Sequence, residues 1–268
     1  MAVPLRKLFV VGSSICRAAL THGLQVTSLS RRGPPTASAD SPATAWQSNV
    51  EWVRGDSLRP ETYTAHLQSC DAVVHTVGTL LEADYKRLVK AGSLCQAASG
   101  LIKSTPTTAS VTYETTNRDT ALCVADAAAQ SPSVRSFVYI SATDFLPLVD
   151  RRYISTKREA EVALIRHQEF RTLIFRPGFM FSDQQPFTVP LAQALDALGR
   201  LKRAAFGLVS RTQPLVTSGL GTPPLHIDVV AQAVLRGLLN PKLNGIVGPD
   251  GILELSKGFK PEGPLESP

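Results

Sequence analysis

Leu8-Phe9-Val10-Val11, then Gly12-Ser13-Ser14, then the helical spacing of residues 15–20 with Gly23 behind it, decides the fold. Four successive apolar residues, two of them β-branched, read as a strand buried on both faces, the condition of a parallel sheet. A short polar turn leads from it into a helix closed by a glycine at its carboxyl end. Strand, tight turn and helix at the start of a chain predict the first half of a βαβ unit. The pattern repeats: residues 25–30, 50–54, 72–76, 136–141 and 171–176 read as five more strands, the last stopped by Pro177-Gly178. Helical spacing is predicted over 61–68, 82–98, 113–129, 156–166 and 229–239, and loops over 33–48 and 99–110. The predicted class is α/β, a doubly wound parallel sheet. Residues 1–240 form the main domain, with a small carboxyl-terminal substrate lobe over about 184–225. Residues 241–268, rich in Gly and Pro, read as a flexible tail.

Composition excludes several classes of function. The 268 residues are 43% hydrophobic and 19% charged, with a formal net charge of +6. A chain of this size buries roughly 75% of its unfolded surface, so its core needs no disulfide or metal. The four cysteines show no C-x-x-C spacing and the five histidines no H-x-x-x-H pair, so no metal site is predicted. Basic clusters are short (Arg31-Arg32, Arg151-Arg152, Lys202-Arg203) and lack interleaved aromatics, which argues against a nucleic-acid surface. No apolar run reaches the roughly 18 residues of a membrane span. The first 39 residues carry Arg6, Lys7, Arg17, Arg31 and Arg32 and no acid, a bias that mitochondrial import uses. A strand beginning at Leu8 leaves almost no room for a cleavable presequence.

Ligands of doubly wound sheets bind beyond the carboxyl ends of the strands. Strand five ends in Ser141, and Tyr153-Ile154-Ser155-Thr156-Lys157 follows twelve residues later. Tyr153 and Lys157 are four apart and share one face of a helix. An ammonium beside a phenol favours the phenolate, which would suit Tyr153 to proton transfer with a carbonyl oxygen. Ser141 would hydrogen-bond that oxygen, and Lys157 would also hold a ribose. Ser, Tyr-x-x-x-Lys and the later Arg176-Pro177-Gly178-Phe179 together resemble the short-chain dehydrogenase/reductase superfamily, in its extended or atypical branch.

That resemblance implies a Rossmann-like fold and covers residues 8–239, nearly the whole chain. It implies roles for Gly55-Asp56 at the adenine and for Asn117 as a relay in the active-site hydrogen-bond network. Gly12, Ser13, Ser14, Arg31, Arg32, Asp56, Thr76, Val77 and Gly78 would line the dinucleotide groove. Pro177, Gly178 and Phe179 would pack by the nicotinamide. More narrowly, Ser28-Leu29-Ser30-Arg31, residues 50–56, 81–86 and 153–161 are similar to fungal mitochondrial oxidoreductase-like subunits of coenzyme Q biosynthesis. This implies a mitochondrial NAD(P)-binding protein, on the matrix side of the inner membrane, whose partners are a small-molecule substrate and subunits of the coenzyme Q synthesis complex.

Strand two ends in Arg31-Arg32 with no acid from Val26 to Ala39, which favours the 2′-phosphate of NADP over the ribose hydroxyl of NAD. The glycine loop after strand one departs from the family pattern. Gly12-Ser13-Ser14-Ile15 lacks about six residues of a G-x-x-G-x-x-G turn, and the next glycine is Gly23. Three readings stand: a short stretch missing from the gene model, a protein that does not bind the cofactor, or Ser13 and Ser14 capping the helix and binding phosphate less well. The amphipathic stretch 189–206 suits a packed helix, a quinone-like substrate cleft or peripheral contact with an anionic bilayer. His226 reads as a core or edge residue. The expected function is NADP(H)-dependent redox chemistry on a carbonyl or hydroxyl of a quinone-type or aromatic intermediate, and the alternative is a non-catalytic assembly subunit.

Overall fold

A computed structural model describes residues 4–12, 15–35, 45–78, 112–144, 150–183, 188–189, 192–193, 196–197, 200 and 222–258. The predicted helix 82–98, the loop 99–110, Ser13, Ser14 and most of the stretch 189–206 lie outside these residues. Strands β1 (Lys7–Val11), β2 (Gln25–Ser30), β3 (Val50–Arg54), β4 (Ala72–His75), β5 (Ser136–Ile140) and β6 (Arg171–Phe175) match the predicted strands to within a residue at each end. All pair in parallel, together with β9 (Gly245–Val247), in the order β3-β2-β1-β4-β5-β6-β9. The order reverses between β1 and β4, so the crevice of a doubly wound sheet opens there.

Alternation along β1 explains the layers. Leu8 and Val10 point to one face, with Val26, Val74, Val138, Leu173 and Phe175, under helices α1 (Cys16–Thr21), α5 (Ile227–Leu239) and α6 (Pro249–Leu255). Phe9 and Val11 point to the other, with Val73, Phe137, Tyr139 and Ile174, under α2 (Thr64–Leu67), α3 (Thr120–Ala129) and α4 (Arg151–Ile165). Each such fully buried side chain contributes roughly 1.5–3 kcal/mol, so the strand core is the main source of stability.

Several expectations are corrected. Helix α4 starts at Arg151, five residues before the predicted start, because the Asp150 carboxylate accepts the Arg152 N–H at 2.9 Å and caps it. The predicted helix 61–68 divides into a 3-10 turn (Pro60–Thr62) and the single turn of α2. Predicted helix 113–129 opens with one π-helical turn (Glu114–Asp119) before α3. The expected flexible tail is part of the fold up to residue 258: β9 is the seventh strand, and α6 packs on α5. Arg171 fixes that connection by donating to the carbonyls of Leu238, Asn240 and Leu243 at the carboxyl end of α5. On either side of the stretch 184–225, most of which lies outside the described residues, β7 (Met180–Phe181) pairs with β8 (Leu225–His226). His226 ends β8 and caps α5, its Nδ1 accepting the Asp228 N–H at 3.2 Å. Among the described residues no helix is long and apolar enough to cross a membrane.

Candidate active site at the strand-order reversal

Gly12 follows β1 with φ +109°. A Cβ there would come within 2.2 Å of Thr76 Oγ1, the first side chain after β4. Thr76 in turn donates its hydroxyl to the Val11 carbonyl at 2.9 Å and its amide to the same oxygen at 3.0 Å. Across β2, Ser28 Oγ donates to the Gly12 carbonyl at 2.8 Å. The glycine thus lets three strand ends close on one another. Helix α1 begins one residue beyond the expected start, and Ile15 stands at its N-cap without a side-chain cap hydrogen bond.

Arg31 and Arg32 lie exposed in the turn after β2, with no ion-pair partner among the described residues. Beyond β3, the Gly55 N–H donates to the Ser30 carbonyl at 3.1 Å, and a Cβ on Gly55 would sit 2.6 Å from Thr62 Oγ1. Asp56 Oδ1 accepts the Leu58 N–H at 3.0 Å, which fixes the turn and holds the carboxylate at the strand end. Farther along, the Pro177 carbonyl accepts the Thr143 N–H at 2.8 Å, so the turn after β6 is tied to the one after β5. A Cβ on Gly178 would meet Thr222 Cγ2 at 2.8 Å, and the Phe179 carbonyl accepts the Leu225 N–H at 2.8 Å.

The residues after β4 meet α4. Gly78 faces Lys157 Nζ and Asn117 Oδ1, which a Cβ would approach to 2.8 and 3.1 Å. Asn117 is buried in the π-helical turn, and its carbonyl accepts the Tyr139 hydroxyl at 2.5 Å. Lys157 is 2% exposed, donates to the Ile140 carbonyl at 2.9 Å and lies 4.7 Å from the centre of the Tyr139 ring. Of the expected site residues, the structure thus brings Gly78, Asn117 and Lys157 to one point, with Thr76 beside Gly12. Sequence reasoning misses His75, which is fully buried in β4 with its ring 5.8 Å from that of Tyr139. A continuous apolar strand buried on both faces gives no signal that an imidazole in it faces a lysine.

The expected Tyr153–Lys157 electrostatic pair is not formed. Lys157 is spent on Ile140 and Tyr139, whereas the half-buried Tyr153 ring packs edge-on against Tyr113 at 6.0 Å. Burial pushes the Tyr153 phenol up to about 12, with Tyr113 adding to it and Arg158, not Lys157, opposing it. Ser141 is likewise engaged, its Oγ donating to Glu161 Oε1 at 2.5 Å. Four spacing along a helix sets the direction of two side chains but not their partners, and here the strand-end carbonyl is the nearer acceptor for the amine.

Burial lowers Lys157 from 10.5 to about 7 and, with the Lys157 charge, lowers His75 from 6.5 to about 3. The folded protein therefore holds fewer protons than the unfolded chain across both intervals. Stability should rise as pH increases from about 7 to about 10.5, and fall as pH drops from about 6.5 toward 3. Lys157→Met should flatten the alkaline rise and His75→Phe the acid fall in urea-unfolding midpoints measured against pH. An unaltered slope in either variant would mean that its side chain stays hydrated in the fold.

A seven-stranded parallel sheet reversing between β1 and β4, with glycines at both strand ends and a buried lysine beside them, has the architecture of a dinucleotide-binding fold. Residues 10–205 match the model of the NAD(P)H-binding family, and the chain belongs to that family. It is 32% identical to MIOREX complex component 2 of Saccharomyces cerevisiae, over 91% of this chain and 95% of that one. It is 27% identical to an uncharacterized chloroplastic protein of Arabidopsis thaliana, over 88% and 70% of the two chains. Among solved structures, a short-chain dehydrogenase/reductase superfamily protein from Agrobacterium tumefaciens with bound NAD superposes with a TM-score of 0.55, at 17% identity, over 91% of this chain and 77% of that one. The superfamily resemblance read from the sequence and the doubly wound fold are both borne out.

Proposed function

We propose that this protein binds a nicotinamide dinucleotide, NADP(H) in preference to NAD(H), in the crevice between β1 and β4. It acts there on a carbonyl or hydroxyl of a quinone-type or aromatic intermediate, as a subunit of a mitochondrial assembly for ubiquinone synthesis. One observation carries the reading: a buried amine, Lys157, is held against the side-chain-free Gly78 and the buried Asn117 at the strand-order reversal. The residues fit a dinucleotide at that point, at the Arg31-Arg32 turn and at Asp56. Gly12 fits it less well, because the space in front of its Cα is taken by the Thr76 hydroxyl. Weak binding follows, with a Kd of roughly 0.1–1 mM, or about −5.5 to −4.1 kcal/mol.

When bound, the nicotinamide supplies or accepts a hydride. Gly78 and Lys157 would hold the ribose, Arg31 and Arg32 the 2′-phosphate, Asp56 the adenine, and Pro177, Gly178 and Phe179 the nicotinamide face. Tyr153 would exchange a proton with the substrate oxygen, its phenol kept protonated by burial, and Ser141 would do so only by releasing Glu161. The engagement of Ser141 and the Tyr153 phenol at about 12 favour a second reading, a cofactor-binding assembly subunit without turnover.

Titration of the full chain with NADPH, followed by cofactor fluorescence, tests the first reading, and NADH is expected to bind severalfold less well. Absence of saturation at 10 mM, also after insertion of a family-like glycine loop, would overturn it. Tyr153→Phe should abolish reduction of a benzoquinone probe while leaving NADPH affinity within about twofold. Equal turnover in both proteins would remove Tyr153 from the chemistry, and no turnover in either would select the assembly reading.

A further inference from the structure

Two guanidinium groups share one carboxylate where β5 and β6 end. Glu161, one turn beyond Lys157 on α4, has only 3% of its side chain exposed. Its Oε1 accepts Arg158 Nη1 at 2.6 Å, Arg176 Nε at 2.9 Å and Ser141 Oγ at 2.5 Å, and Oε2 accepts Arg176 Nη2. Arg158 also donates to the Ala142 carbonyl at 2.9 Å, so its fork is held rigidly. Two cations against one anion leave a surplus charge of +1.

That surplus is not hidden. The arginine side chains remain 30% and 27% exposed, and among the described residues no acceptor meets Arg158 Nε or Arg176 Nη1. Nor is its place arbitrary. Ser141 is the residue after β5 and Arg176 the residue after β6, so both stand at the carboxyl ends where ligands of this sheet bind, one and two strands beyond the β4 wall of the crevice. Arg158 is near enough to Tyr153 to pull its phenol downward.

We propose that Arg158 and Arg176 form an oxyanion site that takes the carboxylate or phosphate of the substrate and so turns the rest of that molecule toward Tyr153. The groups left over, Arg158 Nε and Arg176 Nη1, can each donate to an anion, and charge-assisted hydrogen bonds of this sort are the strong kind. Glu161 orients both groups and neutralises one of the two charges, leaving the other for the ligand. The inference rests on the reading of this crevice as a substrate site, and it narrows the substrate to an anionic one.

Calorimetric titration of the full chain without nicotinamide, using benzoate, phenyl phosphate and neutral benzamide as probes, tests it. The anions are expected to bind and benzamide not to, and the tighter of the two identifies carboxylate or phosphate as the natural headgroup. Arg158→Gln should weaken the anions at least tenfold, with Arg158→Lys between it and the parent because charge is kept and the fork lost. Glu161→Gln, which removes the internal competitor, should strengthen them about tenfold. Anions bound no better than benzamide, or affinities unmoved in Arg158→Gln and Arg158→Lys, would overturn the proposal. Dinucleotide affinity is read separately by fluorescence: NADPH binding without anion binding removes this inference alone, and anion binding without NADPH binding removes the dinucleotide reading alone.

Discussion

Glu161→Ala should lower the unfolding free energy by roughly 3–5 kcal/mol, because it deletes one side of a mostly buried ion cluster and leaves the other side uncompensated. The carboxylate is the common acceptor for Arg158, Arg176 and Ser141, so its removal strands donors from α4, from the end of β6 and from the end of β5 at once. At roughly 2–4 °C per kcal/mol for a chain of this size, Tm should fall by about 6–20 °C. Glu161→Gln keeps an acceptor oxygen in place and should cost about half as much. Urea denaturation followed by circular dichroism measures both. A loss under about 1 kcal/mol for Glu161→Ala would show that water takes over the two guanidiniums, and that they are not rigid.

The second large effect is expected at Gly12. Gly12→Ala puts a Cβ 2.2 Å from Thr76 Oγ1 at a residue with φ +109°, so backbone strain and overpacking act together. Each costs roughly 1–3 kcal/mol, giving about 2–6 kcal/mol in all. Thr76 cannot withdraw freely, because its hydroxyl and its amide are both bonded to the Val11 carbonyl. Gly23→Ala is the control: φ is +72° but nothing lies within 4 Å of the added carbon. That change should cost only about 1 kcal/mol. Equal losses in the two variants would mean that the β1–β4 closure contributes nothing beyond the backbone conformation.

The first six strands were legible because each is a short, β-rich apolar run bounded by turn residues, and in a parallel sheet buried on both faces that pattern has few alternatives. Strand β9 was not. Gly-Ile-Val between Asn244 and Gly248 is too short to show a period, and what makes it a strand is Arg171 and the exposed edge of β6. The start of α4 escapes for a related reason: Asp150-Arg151-Arg152 reads as a short charged cluster until the Asp150 cap is seen. At the site, strand-end position singles out Gly78, helical spacing Lys157 and the family resemblance Asn117, and the structure sets these three side by side. The same reasoning placed Lys157 against Tyr153, where the amine instead turns to the Ile140 carbonyl and the Tyr139 ring. Choices among competing acceptors depend on distances of an ångström, and no one-dimensional pattern carries those. His75 and Glu161 were passed over because buried polar residues within an apolar or charged run look, in sequence, like their exposed counterparts.

Amide hydrogen exchange of the full chain, with and without 10 mM NADPH, tests the central reading most directly. The expected result is new protection at Gly12, Thr76 to Gly78 and the first turns of α4 around Lys157, extending to Arg31, Arg32, Asp56, Gly178 and Phe179. Protection that appears elsewhere while these amides exchange as before, or an exchange pattern the cofactor leaves unchanged, would contradict the placing of a dinucleotide between β1 and β4.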